Sequence, residues 1–455
     1  MKHRRRRQSI LKPTPYFEKN AKGKSFMLIK NVDIITENKP DEIIYGASIL
    51  IKGDTIERII KNGEPLPNDT EIIDGNGMIA MPGFVNTHTH CAMTFLRNYG
   101  NDMNLQDWLF KKVFPAEDKL TAEAVYWFSK LAYIEFIKSG ITTHVDSYFF
   151  MESSARAVEE AGIRAVLNRS VSGISDPDGE KLKESSSFFR TYNNSCSGRI
   201  KSVLGAHSIY TSDEKYIVKV VEEANKIGSG LVTHLCETQK EIDDCILQHN
   251  ATPVEYLDRI GYFDVDGMKI AAHCVHMSDN DIDILARKNV SAAINMSSNL
   301  KLASGIADVP RLIKSGVNVS LGTDGASSNN NLNMFNEMRL AALVYKGITL
   351  DPEIMNAETV LSMATANGAK AILDDKIGVV AEGAKADIVL IDTNSPSIAP
   401  TNELAPAVVY SAGAGDVNTV ICNGKVLMQN KELLTIDENE TVWNVKYFAR
   451  RILSR

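Results

Sequence analysis

The sequence predicts an α/β protein, a (β/α)8 TIM barrel with a small β-sandwich domain built from both termini. Between about residues 81 and 375, apolar strand-like runs alternate eight times with amphipathic helix-like stretches, which is the pattern of a parallel barrel. At both ends, short β-rich runs are separated by Gly, Asn and Asp, which is typical of antiparallel strands. We therefore expect a barrel at residues 81–375 and a sandwich formed by residues 27–80 and 376–455.

Length and charge are consistent with this architecture and exclude several classes of protein. The 455 residues suffice for one large barrel and a smaller unit. A net charge of -7 argues against a nucleic-acid partner, which usually requires a basic face. No uninterrupted apolar run reaches the ~18 residues of a membrane span, so we expect no membrane partner. The basic opening "MKHRRRR" predicts a disordered tail over residues 1–26.

The cysteines predict a cytoplasmic protein. Six are scattered along the chain, at positions 91, 196, 236, 245, 274 and 422, and none forms a CxxC pair. In a chain of this size such a distribution is typical of reduced thiols. None of the six has the spacing of a cysteine zinc site.

The histidines mark the predicted active face. Barrel enzymes carry their chemistry at the carboxyl ends of the strands. Seven of the nine histidines lie at these predicted ends or just beyond them. They are His88, His90, His144, His207, His234, His273 and His276. Chance would also scatter histidines over surface helices, so this clustering indicates a site.

The first two of these histidines form the pattern His-Thr-His. Residues two apart on a strand point to the same face, so His88 and His90 face the barrel mouth at one level. Together with a third histidine and an aspartate at the rim, they predict a site for one divalent ion with an open position. Zn²⁺ is the expected metal, although Fe²⁺ and Mn²⁺ suit the same ligands.

Several motifs together resemble the amidohydrolase superfamily, in the branch of S-adenosylhomocysteine and 5′-methylthioadenosine deaminases. The motifs are "MPGFVNTHTHCAMTFLR", "GAHSIYTSDE", "THLCET", "AAHCVHM", "SNLKLASGIADV" and "LGTDGASSNNNLNMFNEMRLAALV". The resemblance implies that His88, His90, His234 and Asp324 bind the metal. No lysine ends the fourth predicted strand, so a bridging carboxylated lysine is absent and one metal is expected.

The resemblance also implies catalytic roles. Glu237, three residues after His234, would protonate the purine N1 and assist departure of ammonia, as a non-ligand glutamate does in zinc deaminases. His273 would polarise the attacking water, and Asp324 would bind it. We expect His276 to be packed rather than catalytic, and His144 to be a buried, hydrogen-bonded histidine.

The substrate contacts follow from the same resemblance. Glu117 would accept hydrogen bonds from the ribose hydroxyls, while Arg169 and His207 would line the ribose and its 5′ substituent. Trp108 either packs near the base or belongs to the core. Lys181 stands where the family often has a second arginine, and lysine holds a carboxylate without the bidentate fork. This departure disfavours S-adenosylhomocysteine relative to methylthioadenosine, adenosine or 5′-deoxyadenosine.

These features predict a metal-dependent hydrolytic deaminase of adenosine-type nucleosides, with a small-molecule purine nucleoside as its partner. The alternative is a guanine deaminase or a triazine-type amino or chloro hydrolase on the same fold. A third hypothesis is a metal-binding scaffold without catalysis, against which the complete ligand set argues. By resemblance we also expect a homo-oligomer, either a dimer or a tetramer.

Overall fold

A computed structural model describes residues 26–37, 39, 42–68 and 70–453. The predicted basic tail, residues 1–26, lies outside the described residues except for Phe26, where the first strand begins. The strands are β1 (Phe26–Ile35), β2 (Ile43–Lys52), β3 (Thr55–Ile60), β4 (Glu71–Asp74), β5 (Met78–Pro82), β6 (Phe84–Thr89), β7 (Ile141–Tyr148), β8 (Arg164–Arg169), β9 (Ile200–Ser202), β10 (Leu231–Leu235), β11 (Lys269–His273), β12 (Ser291–Ile294), β13 (Val319–Leu321), β14 (Ile388–Asp392), β15 (Val417–Cys422), β16 (Lys425–Gln429) and β17 (Glu432–Leu433).

Helices separate the strands in the middle of the chain. The α-helices are α1 (Leu105–Trp108), α2 (Phe114–Glu117), α3 (Ala122–Lys138), α4 (Met151–Ala161), α5 (Glu180–Tyr192), α6 (Ser195–Gly198), α7 (Glu214–Ile227), α8 (Gln239–His249), α9 (Pro253–Arg259), α10 (Asp279–Arg287), α11 (Met296–Lys301), α12 (Val309–Lys314), α13 (Met334–Thr349), α14 (Ala357–Ala364), α15 (Ala366–Ala371), α16 (Leu404–Pro406) and α17 (Glu438–Leu453). Single 3-10 turns cover Cys91–Leu96, Gly173–Ser175, Ile209–Thr211, Tyr262–Asp264 and Ala414–Asp416, and π-helical turns cover Leu109–Val113 and Ala407–Ser411.

Strands from both ends of the chain form one sheet. Its order is β17-β16-β15-β14-β5-β1-β2-β3, with β4 alongside β1. The antiparallel pairing of β14 with β5 joins the two ends, and it places Val389 opposite Met81. Isoleucines of both ends, including Ile34 and Ile388, are buried in a shared apolar cluster. The small β domain built from both termini, predicted as a sandwich, is therefore confirmed as strands of both ends hydrogen-bonded into one sheet, while the exact domain boundaries stay a prediction.

The middle of the chain closes into a barrel. Strands β6-β7-β8-β9 and β10-β11-β12-β13 form two four-stranded parallel sheets. A parallel bridge between Leu204 and Leu231 joins the sheets at one seam. At the other seam, the amide of Asp324 donates to the carbonyl of His88 at 3.0 Å. Because the eight strands run in parallel around a closed ring, the predicted TIM barrel is confirmed.

Local rules explain where the barrel helices begin and end. Helix α7 begins after Asp213, whose side chain accepts a hydrogen bond from the amide of Tyr216 at 2.8 Å. It ends at Gly228, which has the left-handed backbone, φ 70°, that favours glycine at a helix end. Between these ends, residues such as Ile217 and Val220 bury one apolar face against the strands. Among the described residues, no helix has the length and apolarity needed to cross a membrane.

Candidate active site

Four predicted ligands meet at the carboxyl ends of the barrel strands. His88 lies in β6, His90 follows its end, His234 lies in β10, and Asp324 follows β13. The Nε2 atom of His90 is 3.2 Å from Nε2 of His234 and 3.3 Å from Oδ1 of Asp324. The Nε2 atom of His88 is 3.6 Å from the same carboxylate oxygen. All four side chains are buried, so the structure places them around one point.

Hydrogen bonds to main-chain carbonyls set the tautomers of two of these histidines. Nδ1 of His90 lies 2.6 Å from the carbonyl of Ser147, and Nδ1 of His234 lies 2.7 Å from the carbonyl of His207. Carbonyl oxygens only accept, so both Nδ1 atoms must donate. Each ring therefore turns its Nε2 toward the other ring, at 3.2 Å, where two nitrogen lone pairs would repel each other. A shared cation removes this repulsion, and second partners of this kind are typical of metal-binding histidines.

The remaining ligands also fit a cation. The Nε2 atom of His88 is buried and has no hydrogen-bond partner among the described residues. Burial lowers the pKa of His88 and of His234, so both rings stay neutral, as metal binding requires. Burial opposes ionisation of Asp324, but the neighbouring histidines outweigh it and lower the pKa of this carboxyl. Three imidazoles and a carboxylate thus suit one divalent ion.

Asp324 is held by its own loop. Its backbone is left-handed, φ 57°, which turns the carboxylate back toward the strand ends. The hydroxyls of Ser298 and Ser328 donate to its Oδ2 at 2.6 and 2.8 Å. Oδ2 is therefore fully engaged, and Oδ1 faces His88 and His90.

Gly322 allows β6 and the end of β13 to approach closely. A Cβ at this position would lie 2.4 Å from Oδ1 of Asn295 and 2.9 Å from the Cβ and the carbonyl oxygen of His88. These distances are shorter than any normal contact. Glycine is therefore required for the ligands of the two strands to meet.

Glu237 and His273 face the same point from the next strands. Glu237 is 3% exposed, and its Oε2 lies 3.9 Å from Nε2 of His273. Burial raises the pKa of Glu237. Nδ1 of His273 lies 2.8 Å from Oδ1 of Asn299, so Nδ1 donates and Nε2 points toward Glu237. The structure thus supplies a carboxyl that holds a proton more readily than usual beside an oriented imidazole.

Glu241 shapes the loop that carries Glu237, and sequence reasoning missed it. Its carboxylate accepts the amides of Cys236 and Glu237, each at 2.9 Å. Burial raises the pKa of Glu241 to about 7. The available signal was Thr238, three residues earlier, because Thr-x-x-Glu is the pattern of a capping box. Here the side chain of Glu241 reaches the amides that precede Thr238, and these two hydrogen bonds fix the turn before α8.

A cleft of about 590 Å³, partly open to solvent, lies over these groups. Glu117, Trp108 and His207 line it, as predicted for substrate contacts. Oε1 of Glu117 accepts a hydrogen bond from the hydroxyl of Tyr148 at 2.6 Å, and burial raises the pKa of Glu117 to about 7. Trp108 is 5% exposed, so it packs in the core while its ring borders the cleft.

A single π-helical turn separates α1 from α2, and it explains how Trp108 and Glu117 reach the same cleft. The turn covers Leu109–Val113 and continues α1 without a break into α2. Extra residues of this kind rotate the following turn of a helix, and they are frequent at functional sites.

An outer pocket continues from the cleft past Glu117 and His207. Arg169 and Lys181, two of the expected substrate contacts, line this pocket. The guanidinium of Arg169 already pairs with Glu184 at 2.5 Å. Both basic residues therefore border the outer pocket, and Glu184 partly neutralises the charge of Arg169.

Two rim histidines lie outside the cleft. His144 is buried in β7, as expected, and its ring packs against Tyr133 and Phe136 of α3. Neither of its ring nitrogens makes a hydrogen bond of good geometry with the described residues, and the backbone of Arg164 gives it only a weak one. His276 is bonded through Nε2 to the carbonyl of Ser304 at 2.7 Å and does not line the cleft.

Fold and site together define a class of metal-dependent barrel hydrolases. Residues 79–427 match the model of the amidohydrolase family, and the chain belongs to that family. It is 47% identical to a 5-methylthioadenosine/S-adenosylhomocysteine deaminase of Acetivibrio thermocellus, over 94% of this chain and 99% of that one. A protein of the same description from Thermoanaerobacter pseudethanolicus is 45% identical, over 94% and 100% of the two chains.

Solved structures include a similar chain. An adenosine deaminase of Xanthomonas campestris, with bound zinc, superposes with a TM-score of 0.89 at 27% identity. The match covers 94% of this chain and 99% of that one. The likeness therefore extends over barrel and terminal sheet together.

Proposed function

We propose that the protein is a metal-dependent hydrolytic deaminase of adenosine-type nucleosides. It converts the 6-amino group of the purine to an oxo group and releases ammonia. The observation that carries this proposal is one buried cluster around His88, of which His90, His234, Asp324, Glu237 and His273 border the cleft that also contains Glu117. The two deaminases at 47% and 45% identity support the same reaction.

The metal would be held by His88, His90, His234 and Asp324. Zn²⁺ is our proposal for its identity, with Fe²⁺ and Mn²⁺ as alternatives that suit the same ligands. A bound divalent ion of this kind lowers the pKa of water toward neutrality and so supplies the nucleophile. Ser298 and Ser328 hold Oδ2 of Asp324, and the amide of Gly325 donates to Oδ1 at 2.7 Å, so the carboxylate is held in place to bind the ion and to accept a proton from the attacking water.

Glu237 and His273 would manage the protons of the base. Because burial raises the pKa of Glu237, its carboxyl holds a proton more readily than usual and can give it to purine N1. The resulting Glu237 carboxylate can then take the remaining proton of the oxygen that has added to the ring and pass it to the amino group, which leaves as ammonia. The proton that Asp324 took from the water then restores the acid form of Glu237. His273, oriented by Asn299, would hydrogen-bond the oxygen that adds to the ring.

The nucleoside contacts would lie along the cleft and the outer pocket. Glu117 would accept two ribose hydroxyls in charge-assisted hydrogen bonds, and Trp108 would border the base. His207 and Arg169 would line the 5′ side. Lys181 offers only a point charge to a carboxylate, which disfavours S-adenosylhomocysteine relative to methylthioadenosine, adenosine or 5′-deoxyadenosine.

The first prediction concerns the substrates and the metal. A panel of adenosine derivatives, assayed by loss of absorbance at the adenine band, should show turnover by the zinc-loaded protein. Removal of metal by a chelator should abolish this turnover, and added Zn²⁺ should restore it. Loaded protein with measured zinc but no turnover of any aminopurine nucleoside would contradict the proposal.

The second prediction separates nucleosides from free bases. Glu117→Ala should lower kcat/KM for nucleosides by about 10²-fold or more, because the two ribose hydroxyls lose their acceptor. Deamination of free bases should fall far less. Glu123→Ala, at an exposed position of α3, is the matched control. Equal losses on both substrate types would favour the guanine deaminase or triazine hydrolase alternative.

We further propose a cytoplasmic location and a homo-oligomer, a dimer or a tetramer. All six cysteines lie within the described residues and are free thiols, which supports a reducing compartment. Light scattering on the purified protein measures the assembly directly, and a monomer at micromolar concentration would overturn the oligomer.

A further inference from the structure

A second cluster of ligand-type side chains lies outside the catalytic cleft. Cys91, His144 and Asp146 each offer one ligand atom, and these atoms lie within 4.8 Å of one another. All three side chains have no measurable exposure. None of them lines the cleft described above. The cluster is thus a separate feature that the proposed reaction does not use.

The surroundings of the cluster are apolar and leave its polar atoms without partners. The ring of His144 packs against the rings of Tyr133 and Phe136, with centroids 5.1 and 5.2 Å away. Among the described residues, the two ring nitrogens of His144 and the Oδ2 atom of Asp146 have no hydrogen-bond partner of good geometry. The Oδ1 atom of Asp146 accepts a hydrogen bond from the amide of Cys91 at 2.9 Å.

Such an arrangement is costly unless something else binds there. A buried polar group without a partner costs about 1–3 kcal/mol, and native proteins contain few of them. Here three such atoms occur together, the two ring nitrogens of His144 and Oδ2 of Asp146. Clustered orphan atoms of ligand type, rather than scattered ones, indicate a shared partner.

We propose that Cys91, His144 and Asp146 bind a second, structural cation of the zinc class. A thiolate, a neutral imidazole and a carboxylate together carry two negative charges, which a divalent ion neutralises in this apolar layer. Ligand atoms around tetrahedral zinc are ~3.3–3.8 Å apart, so atoms that lie within 4.8 Å of one another need to draw together by no more than about 1.5 Å. The hydroxyl of Tyr133 is the candidate for the fourth position.

The competing arrangement contains no ion. The thiol of Cys91 lies against Asp146, and a protonated thiol can donate to this carboxylate. Burial lowers the pKa of His144, so its ring then stays neutral, with only a weak hydrogen bond to the backbone of Arg164. The two arrangements differ in one observable, because only the cation site contains a thiolate bonded to a metal.

Cobalt distinguishes them, since the predicted catalytic ligands include no sulfur. Protein produced with Co²⁺ in place of zinc should bind two equivalents per chain and show a thiolate-to-cobalt charge-transfer band in the near ultraviolet. Cys91→Ala should lose this band and about one equivalent of metal. Cys245→Ala, which removes a buried thiol of α8 outside the cluster, should keep both.

The wild-type protein alone can overturn the proposal. Saturation with cobalt that gives no thiolate band, at one equivalent or at two, would assign the cluster to the arrangement without an ion, whereas one equivalent with the band would leave the cluster site standing and contradict the catalytic one. His144→Phe gives a second test that does not depend on the thiol, because phenylalanine fits among the neighbouring rings. The His144→Phe variant should also lose one equivalent of cobalt, while the other equivalent remains bound at the catalytic ligands. A variant that retains both equivalents would contradict the proposed cluster site.

Discussion

At the scale of single residues, the proposed chemistry depends on which atom of a side chain is already engaged. His234 could turn either nitrogen to the cleft, and the carbonyl of His207 selects Nε2 by holding Nδ1 at 2.7 Å. Asp324 behaves in the same way, because Ser298 and Ser328 occupy one of its two oxygens. Each partner thus removes an alternative orientation and aligns a ligand before any ion binds.

Glu237 gives the sharpest prediction at this scale. Glu237→Gln keeps the shape of the side chain but removes its exchangeable proton, so kcat should fall by about 10²–10⁴-fold. Metal content should not change, because the residue is not among the proposed ligands. Steady-state kinetics together with metal analysis measure both quantities.

The exposed Glu222→Gln, on α7, serves as the control for this change. A Glu237→Gln variant that keeps more than a tenth of the wild-type kcat would rule out its acid–base role. Loss of metal in parallel with kcat would instead identify Glu237 as part of the metal site.

At the scale of elements, helix α13 supports the site from outside the barrel. Its Glu337 accepts the amide of Ser297 at 3.1 Å and the side-chain amide of Asn329 at 2.8 Å. These partners belong to the two segments that contain Ser298 and Ser328, the hydroxyl donors to Asp324. One buried carboxyl therefore fixes two segments relative to each other.

This carboxyl makes stability depend on pH. Burial raises the pKa of Glu337 to about 7, above the ~4.3 of a free glutamate, so the folded protein binds more protons here than the unfolded chain. The contribution of Glu337 to the free energy of unfolding is fully present below about pH 4.3 and is lost as the pH rises through about 7. Relative to Glu337→Gln, the wild-type free energy of unfolding should fall by on the order of 3 kcal/mol between pH 4.5 and 8.

Urea denaturation at several pH values measures this difference. Taking the difference between the variant and the wild type cancels the titration of other groups. Glu353→Gln, at an exposed position, should show no such pH-dependent difference. Parallel stability curves for Glu337→Gln and the wild type would show that Glu337 does not titrate as expected.

At the scale of the whole molecule, a buried ion pair connects the barrel to the terminal sheet. Arg164, at the start of β8, donates from Nε and Nη2 to Asp387 at 3.0 and 3.1 Å. Nη2 also donates to Asn423 at 3.0 Å, in the turn between β15 and β16. The barrel supplies the guanidinium and the terminal sheet supplies the carboxylate of this bidentate ion pair, so the pair forms only when the two units pack together.

Breaking this pair should weaken the whole fold. Arg164→Ala leaves the carboxylate of Asp387 buried and unpaired, which should cost about 3–5 kcal/mol in the free energy of unfolding. Arg190→Ala is the control, because Arg190 is exposed where it pairs with Glu223, and a pair of this kind is worth about 0–1 kcal/mol. Chemical denaturation compares the variants, and similar losses for both would contradict the structural role of the buried pair.

Much of this molecule follows from short-range patterns in the chain. The barrel could be predicted because each strand and helix has its own periodicity, and parallel strands bring their carboxyl ends to one rim. The pair His88 and His90 could be predicted to share a face because side chains on a strand alternate with period two. The family motifs then identified His234 and Asp324 as their partners.

The partners of individual side chains could not be predicted in this way. The roles of Glu241 and Glu337, and the cluster of Cys91 with His144 and Asp146, depend on residues from different elements packed to within a few ångströms. No local pattern encodes such contacts, because a carboxyl or an imidazole accepts many partners and burial decides which are within reach. The sequence by itself determined the strands, the helices and the rim that carries the ligands; only the tertiary structure decided which atoms face each other there.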